Sequence, residues 1–199
     1  MSEIFNAMGN TVKSLKKEIR DEMLGRRNRM SLGQKALYDH KICEVLWRLV
    51  EQKVIQSVHT YLPMGSEVDI VPFIAQCLEH RVTVVVPQTL PDRQFKNLVL
   101  SSLQALERGV FGTSYPSGNR VYKGHYDLII VPGLACDDNR SRLGYGGGYY
   151  DTFLADQTTS FKLGLFYPFQ KMDQLPTESH DIQLDKVLCD INLENESSI

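Results

Sequence analysis

The spacing of apolar residues divides the chain at about residue 56. Over 11–29, Val12, Leu15, Ile19 and Met23 recur at intervals of three and four, which predicts a helix with a narrow apolar stripe. By the same spacing Lys13, Lys16, Lys17 and Arg20 occupy a different face. Ser31, with Gln34 three positions on, reads as the cap of a second helix that runs to Lys53 through Leu37, Ile42, Val45, Leu46 and Leu49.

After Gln56 the period shortens. Residues 57–62 alternate as a strand does, and Pro63-Met64-Gly65 marks a turn. The pattern then predicts a helix over 71–80, a buried strand over 82–86, a strand over 98–100, one helical turn over 103–108 and a loop over 109–124. Residues 126–131 form a continuous apolar run closed by Pro132-Gly133, the signature of a strand covered on both faces. A helix over 147–155 and strands over 162–166 and 187–189 complete the series. This alternation predicts an α/β fold with a mainly parallel sheet, helices on both faces and two N-terminal helices packed on it. One domain is expected over 11–191, with flexible tails at 1–10 and 192–199. Sheets of this class bind ligands at the carboxyl ends of their strands, which singles out 62–67, 132–138 and the segment that follows.

Composition narrows the function. The 199 residues carry 22 Lys+Arg against 24 Asp+Glu, a net charge of -2, which argues against a dedicated nucleic-acid binder. At 42% hydrophobic residues the chain can bury a core without disulfides or a structural metal. Cys43, Cys77, Cys136 and Cys189 form no CxxC pair and read as buried thiols of a reduced, intracellular protein. No basic and apolar leader opens the chain, and its apolar runs are too short to span a membrane, so a cytoplasmic location is expected. The histidines at 40, 59, 80, 125 and 180 have no spacing that nominates a catalytic base, and no G-x-S-x-G elbow occurs.

One local bias remains: of 14 glycines, Gly144, Gly146, Gly147 and Gly148 fall within five positions. Glycine permits positive φ and close approach to a ligand, and clustered amides can face an anion. With Arg142 before the cluster and Tyr149-Tyr150-Asp151 after it, the segment reads as a phosphate cradle, although it matches neither GxGxxG nor a Walker sequence. The residues alone leave a flexible surface turn open. Lys16 and Arg20, one turn apart, can reach one polyanion; a solvated charged face is the alternative. Glu67, at a strand end, can accept two hydrogen bonds from a guanidine-like ligand edge, while Asp69 suits a helix cap. Asp181 beside His180 could join Asp151 as an oxygen ligand of Mg²⁺, or cap a loop.

These segments together resemble the 5-formyltetrahydrofolate cyclo-ligase family. The likeness runs from about Lys13 to Asp190 and rests on KKEIR at 16–20, YLPMGSEVD at 61–69, DLIIVPGLACDD at 127–138, RLGYGGGYYD at 142–151 and HDIQLDKVL at 180–188, in that order. The resemblance implies a single-domain, three-layer Rossmann-like sheet and ATP- and Mg²⁺-dependent closure of 5-formyltetrahydrofolate to 5,10-methenyltetrahydrofolate, releasing ADP and phosphate. It implies ATP contacts from Lys16, Lys17, Arg20, Arg142, Leu143, Gly144, Tyr145, Gly146, Gly147, Gly148, Tyr149 and Tyr150, with Arg142 and Lys16 as the catalytic cations. Folate contacts are implied for Leu62, Met64, Glu67, Tyr115, Tyr145, Gly146, Gly147, Gly148 and Tyr149, and metal contacts for Asp151 and Asp181. Its partners would be these two small molecules, with no nucleic acid and no membrane, and the chain a monomer. Two positions depart from the family pattern. Arg140 stands where Gly is usual, so that turn must differ or strain a non-Gly residue. Tyr115 stands in place of an acid in Gly112-Thr-Ser-Tyr115-Pro116.

Overall fold

A computed structural model of the chain describes residues 2–190, with side chains from Thr11 onward. The tail expected at 192–199 lies outside the described residues, as do the side chains of the one expected at 1–10. The first helix, α1, spans Ser2–Asn28 and so begins before the predicted start. Helix α2, Leu32–Lys53, is capped as the sequence predicts: Ser31 Oγ accepts from the Gln34 amide at 3.2 Å. Its buried face carries Ile42, Leu46 and Leu49, whereas Leu37 is exposed.

In chain order there follow β1 (Ser57–His59), α3 (Val71–Glu79), β2 (Thr83–Thr89), β3 (Phe95–Leu100), β4 (Leu106–Arg108), β5 (Ser114–Pro116), β6 (Leu128–Pro132), β7 (Ala135–Asp137), β8 (Arg142–Leu143), α4 (Tyr149–Ala155), β9 (Phe161–Leu165), β10 (Lys171–Met172) and β11 (Lys186–Leu188). The central sheet has the order β11-β9-β6-β1-β2-β3. Every pairing in it is parallel except β2 with β3, a hairpin that places Val85 opposite Val99. The fold is thus mixed α/β with a mainly parallel sheet and four α-helices among the described residues.

Alternation along β6 explains how both faces are covered. Leu128 and Ile130 pack into a cluster with Ile42 and Leu46 of α2 and Phe73 and Ile74 of α3. Ile129 and Val131 point the other way, into a cluster with Leu154 of α4 and Phe166. Each such fully buried aliphatic side chain contributes about 1.5–3 kcal/mol. A third cluster joins Met23 of α1 to Leu134, Ala135, Leu143 and Leu175, around the small sheet β10-β7-β8. It docks α1 beside the carboxyl ends of β1, β6 and β9.

The expected turn of helix over 103–108 is instead β4, paired with β5 inside the expected loop. All three β4 side chains are exposed, so burial left no period to read there. The strand over 57–62 ends at His59, although the Thr60 amide still donates to Val85 O at 2.9 Å. Arg140 does take the left-handed conformation, φ +64°, in a turn closed by its own amide on Asp137 O.

Candidate functional site

Helix α1 buries two of its cations beside Met23, the innermost member of its apolar stripe, and leaves Leu15 of that stripe outside. Lys16 is 5% exposed and Arg27 4%, whereas Leu15 is 44% exposed. With Arg20 and Met23, also turned inward, these residues lie three and four apart and form one face. A buried cation needs partners, and each has them. Lys16 Nζ lies 2.6 Å from Asp181 Oδ2 and 2.9 Å from Glu178 Oε2. The hydrogen bond from Lys16 holds the Glu178 carboxyl below its ordinary range. Arg20 Nε donates to Gly144 O at 2.8 Å. Arg27 donates to Ser66 Oγ, Gly133 O and the Tyr145 hydroxyl. Lys17, expected with Lys16 and Arg20, faces solvent.

The glycine segment links β8 to α4. Gly146 (φ +93°) and Gly148 (φ +73°) require the left-handed freedom of glycine. Alternate glycines each face an arginine. A Cβ on Gly144 would lie 2.5 Å from Arg142 Nη1, one on Gly146 3.2 Å from Arg20 Cζ, and one on Gly148 3.3 Å from Arg93 Cδ. The absence of side chains there lets guanidinium groups approach the main chain.

Arg142 itself is drawn inward. Its Nη2 pairs with Asp151 Oδ1 at 2.9 Å, Nη1 donates to Pro132 O, and the guanidinium lies over the Tyr150 ring. The Ile182 amide donates to the same Asp151 oxygen, so Asp151 and the 178–182 segment sit side by side. The two expected metal ligands, Asp151 and Asp181, are therefore neighbours, each already paired with a cation. Among the described residues no group of three or more His, Cys, Asp and Glu is arranged to hold a metal ion.

Glu67 is buried at the turn after β1. Its Oε2 accepts from the Met64 amide at 2.9 Å and its Oε1 from the Tyr145 hydroxyl at 2.8 Å. Burial raises its pKa, opposed by these two hydrogen bonds and by Arg27. Tyr145 thus ties the glycine segment to both the 62–67 turn and α1. Leu62, half-buried, packs on the core beside it. Tyr149 stacks on Phe95 with ring centroids 5.6 Å apart, and its neighbour Phe111 is exposed at the tip of the β4–β5 hairpin. Tyr150 lies edge-on to Phe95, and its hydroxyl is buried without a partner among the described residues. Tyr115 donates to Glu107 across its own hairpin.

Lys16, Arg20, Arg142, Glu67, Asp151, Asp181 and the glycine segment are thus brought together. Arg27, Arg93, Phe95, Phe111 and Glu178 join them without having been singled out by sequence. Arg27 lies near the end of α1 with no motif around it, and the others likewise lie in segments with no motif.

The 5-formyltetrahydrofolate cyclo-ligase family model matches residues 12–190, which takes in every one of these groups. The chain belongs to that family. A 5-formyltetrahydrofolate cyclo-ligase from Mycoplasma pneumoniae is 27% identical over 178 residues, 88% of this chain and 98% of the relative. The fold is similar to that of a 5,10-methenyltetrahydrofolate synthetase from Aquifex aeolicus, with a TM-score of 0.78, 30% identity and coverage of 93% and 96% of the two chains. The corresponding synthetase structure from Mycoplasma pneumoniae gives a TM-score of 0.70 at 25% identity over 86% and 96%. Within this cyclo-ligase chain, no described helix is long and apolar enough to cross a membrane.

Proposed function

We propose that the chain closes 5-formyltetrahydrofolate to 5,10-methenyltetrahydrofolate at the expense of ATP, in a cytoplasmic setting, with Mg²⁺. The observation that carries this reading is the meeting of a glycine loop and an arginine from a distant helix. Arg20 hydrogen-bonds to Gly144 O and lies over Gly146, with Lys16 one turn away. Residues 11–191 then form one domain with a three-layer, Rossmann-like sheet.

The chemistry sets the demand. To join the N5-formyl carbon to N10, the formyl oxygen must leave, and oxide is a poor leaving group. Attack of that oxygen on the γ-phosphorus breaks the bond to the β–γ bridging oxygen and releases ADP. The formyl carbon becomes an iminium phosphate. N10 then adds to the carbon, phosphate leaves with the former formyl oxygen, and N10 loses its proton. Such phosphoryl transfer rests on positioning and charge neutralisation and needs no protein nucleophile, in keeping with the sequence's lack of a Ser/His or Cys/His dyad.

Lys16 and Arg20 would hold the phosphates, with the amides of 144–148 lining the loop. Arg142 orients Asp151 and stiffens the floor beneath Tyr150. The Glu67 carboxylate, fixed by Met64 and Tyr145, retains one lone pair on each oxygen for the pterin edge. The orphan Tyr150 hydroxyl gains a partner when the site fills. Asp151 and Asp181 suit Mg²⁺, because their hydrogen bonds use only Oδ1 of the first and Oδ2 of the second. Mg²⁺ needs only one or two carboxylates beside water and substrate phosphates. It would supply charge neutralisation on the transferring group. Purified protein with ATP, Mg²⁺ and 5-formyltetrahydrofolate should develop the near-ultraviolet absorbance of the methenyl product. No absorbance change at any Mg²⁺ concentration, or equal turnover without ATP, would refute the reading.

A further inference from the structure

Arg93 sits on the tight turn between β2 and β3, where the Leu90 amide donates to Gln94 O at 2.9 Å. Asp92 (φ +57°) and Arg93 (φ +59°) are both left-handed, the backbone that primed hairpin turns require. Glycine is the unstrained occupant of such a second position; Arg there bears a steric cost with no compensating hydrogen bond of its own. Because β2 runs parallel to β1 and β6, the turn emerges on the same side of the sheet as the 62–67 turn. The side chain reaches back across Gly148, at the start of α4, closely enough that a Cβ there would meet its Cδ at 3.3 Å, Nε at 3.4 Å and Nη1 at 3.5 Å.

Its electrostatic situation differs from that of the other cations around the loop. Lys16 holds Glu178 and Asp181, Arg20 holds Gly144 O, and Arg142 holds Asp151. The exposed Arg93 guanidinium has no ion-pair or hydrogen-bond partner among the described residues. A permanently charged, planar donor set beside glycine amides is suited to a phosphate oxygen.

We propose that Arg93 is a phosphate-binding residue of this chain, supplied by the β2–β3 turn and closing on the nucleotide opposite Arg20. The proposal rests on the ATP-dependent reading of the glycine loop and adds a residue to it. It explains why a strained turn keeps arginine where glycine would relax it.

The test is Arg93→Gly, with Arg93→Lys beside it. Relief of the left-handed strain should leave the thermal midpoint of Arg93→Gly equal to or above that of the parent protein. Its kcat/KM for ATP should fall about tenfold or more, the loss of one charge-assisted contact. KM for 5-formyltetrahydrofolate should hold, and the lysine variant should recover part of the loss. Calorimetric titration with Mg-ADP supplies a readout independent of turnover, and its affinity should weaken in parallel. Wild-type kinetics and nucleotide affinity in Arg93→Gly would overturn this assignment alone. A parent protein that neither binds nucleotide nor forms the methenyl product would overturn the nucleotide reading and this one with it.

Discussion

Helices α1 and α2 look alike on paper: both long, amphipathic and adjacent in sequence. In α2 the apolar positions Ile42, Leu46 and Leu49 enter the core, and charge stays largely outside. In α1 the apolar position Leu15 is exposed while Lys16 and Arg27 are buried. The difference follows from what each helix meets. Helix α2 meets a largely apolar surface, where its one buried charge, Asp39, is satisfied by Lys35 and the Tyr167 hydroxyl. Helix α1 lies against carbonyls, a tyrosine hydroxyl and two carboxylates, which repay the desolvation of its cations. Hydrophobic periodicity therefore marks the core along α2, whereas on α1 Lys16 and Arg27 share the buried face with Met23 and mark the candidate site.

Single substitutions should separate the two kinds of burial. Lys16→Ala should cost about 10²–10³-fold in turnover, the scale of one preorganised electrostatic donor. Its effect on stability should be about 1 kcal/mol, because Glu178 and Asp181 keep access to water. Steady-state rates and urea midpoints measure both, and a large stability loss with intact turnover would reverse the contrast. Leu46→Ala should do the opposite. A fully buried leucine leaves a cavity worth roughly 2–5 kcal/mol of stability, with turnover per folded molecule unchanged.

Between these limits lies His59, fully buried yet uncharged. Its Nε2 faces Asn97 Oδ1 at 3.0 Å and its ring lies on Phe153. Burial lowers its pKa from 6.5 to about 4, against the raising effect of Asn97. The unfolded chain thus takes up this proton at a higher pH than the folded one. The contribution is complete above pH 6.5 and is lost as pH falls through about 4, amounting to about 3 kcal/mol. Urea midpoints across that window should show it, and His59→Gln should flatten that part of the profile; an unaltered slope in the variant would refute the assignment. The smallest effect belongs to the exposed Leu15 of α1. Leu15→Ala should change stability by less than about 0.5 kcal/mol and leave turnover alone. A loss near that of Leu46→Ala would mean that Leu15 is packed after all.

Much of the fold was legible because burial imposes period. The apolar run ending at Pro132 indicates a strand buried on both faces, and Ser31 marks the start of α2. The hairpin β4–β5 was not legible, since exposed side chains carry no period and its register is set by the partner strand. Strands β7, β8 and β10, two or three residues each, are too short for one. At the site, Arg142, Asp151, Glu67 and Asp181 were marked by their neighbours in sequence. Arg27 was not, because its importance comes from Tyr145, 118 positions away. Glu178 was invisible for the same reason, its partner Lys16 being 162 positions distant. Arg140 is the converse: its departure from the usual glycine implies either a different turn or a strained residue, and its positive φ shows the second.

The pairing of Lys16 with Glu178 and Asp181, and of Arg142 with Asp151, has a consequence for selectivity. A bare cluster of cations would collect any passing anion. Here the protein's own carboxylates act as tethered competitors at high effective concentration. On the proposed reading, an incoming anion would displace them only if it brought several phosphates at once, or a divalent cation to occupy the carboxylates it frees. Free inorganic phosphate brings neither, so it should compete weakly with a metal-bound triphosphate, and a chain of nearly even charge can hold a strongly cationic site without becoming a general anion trap.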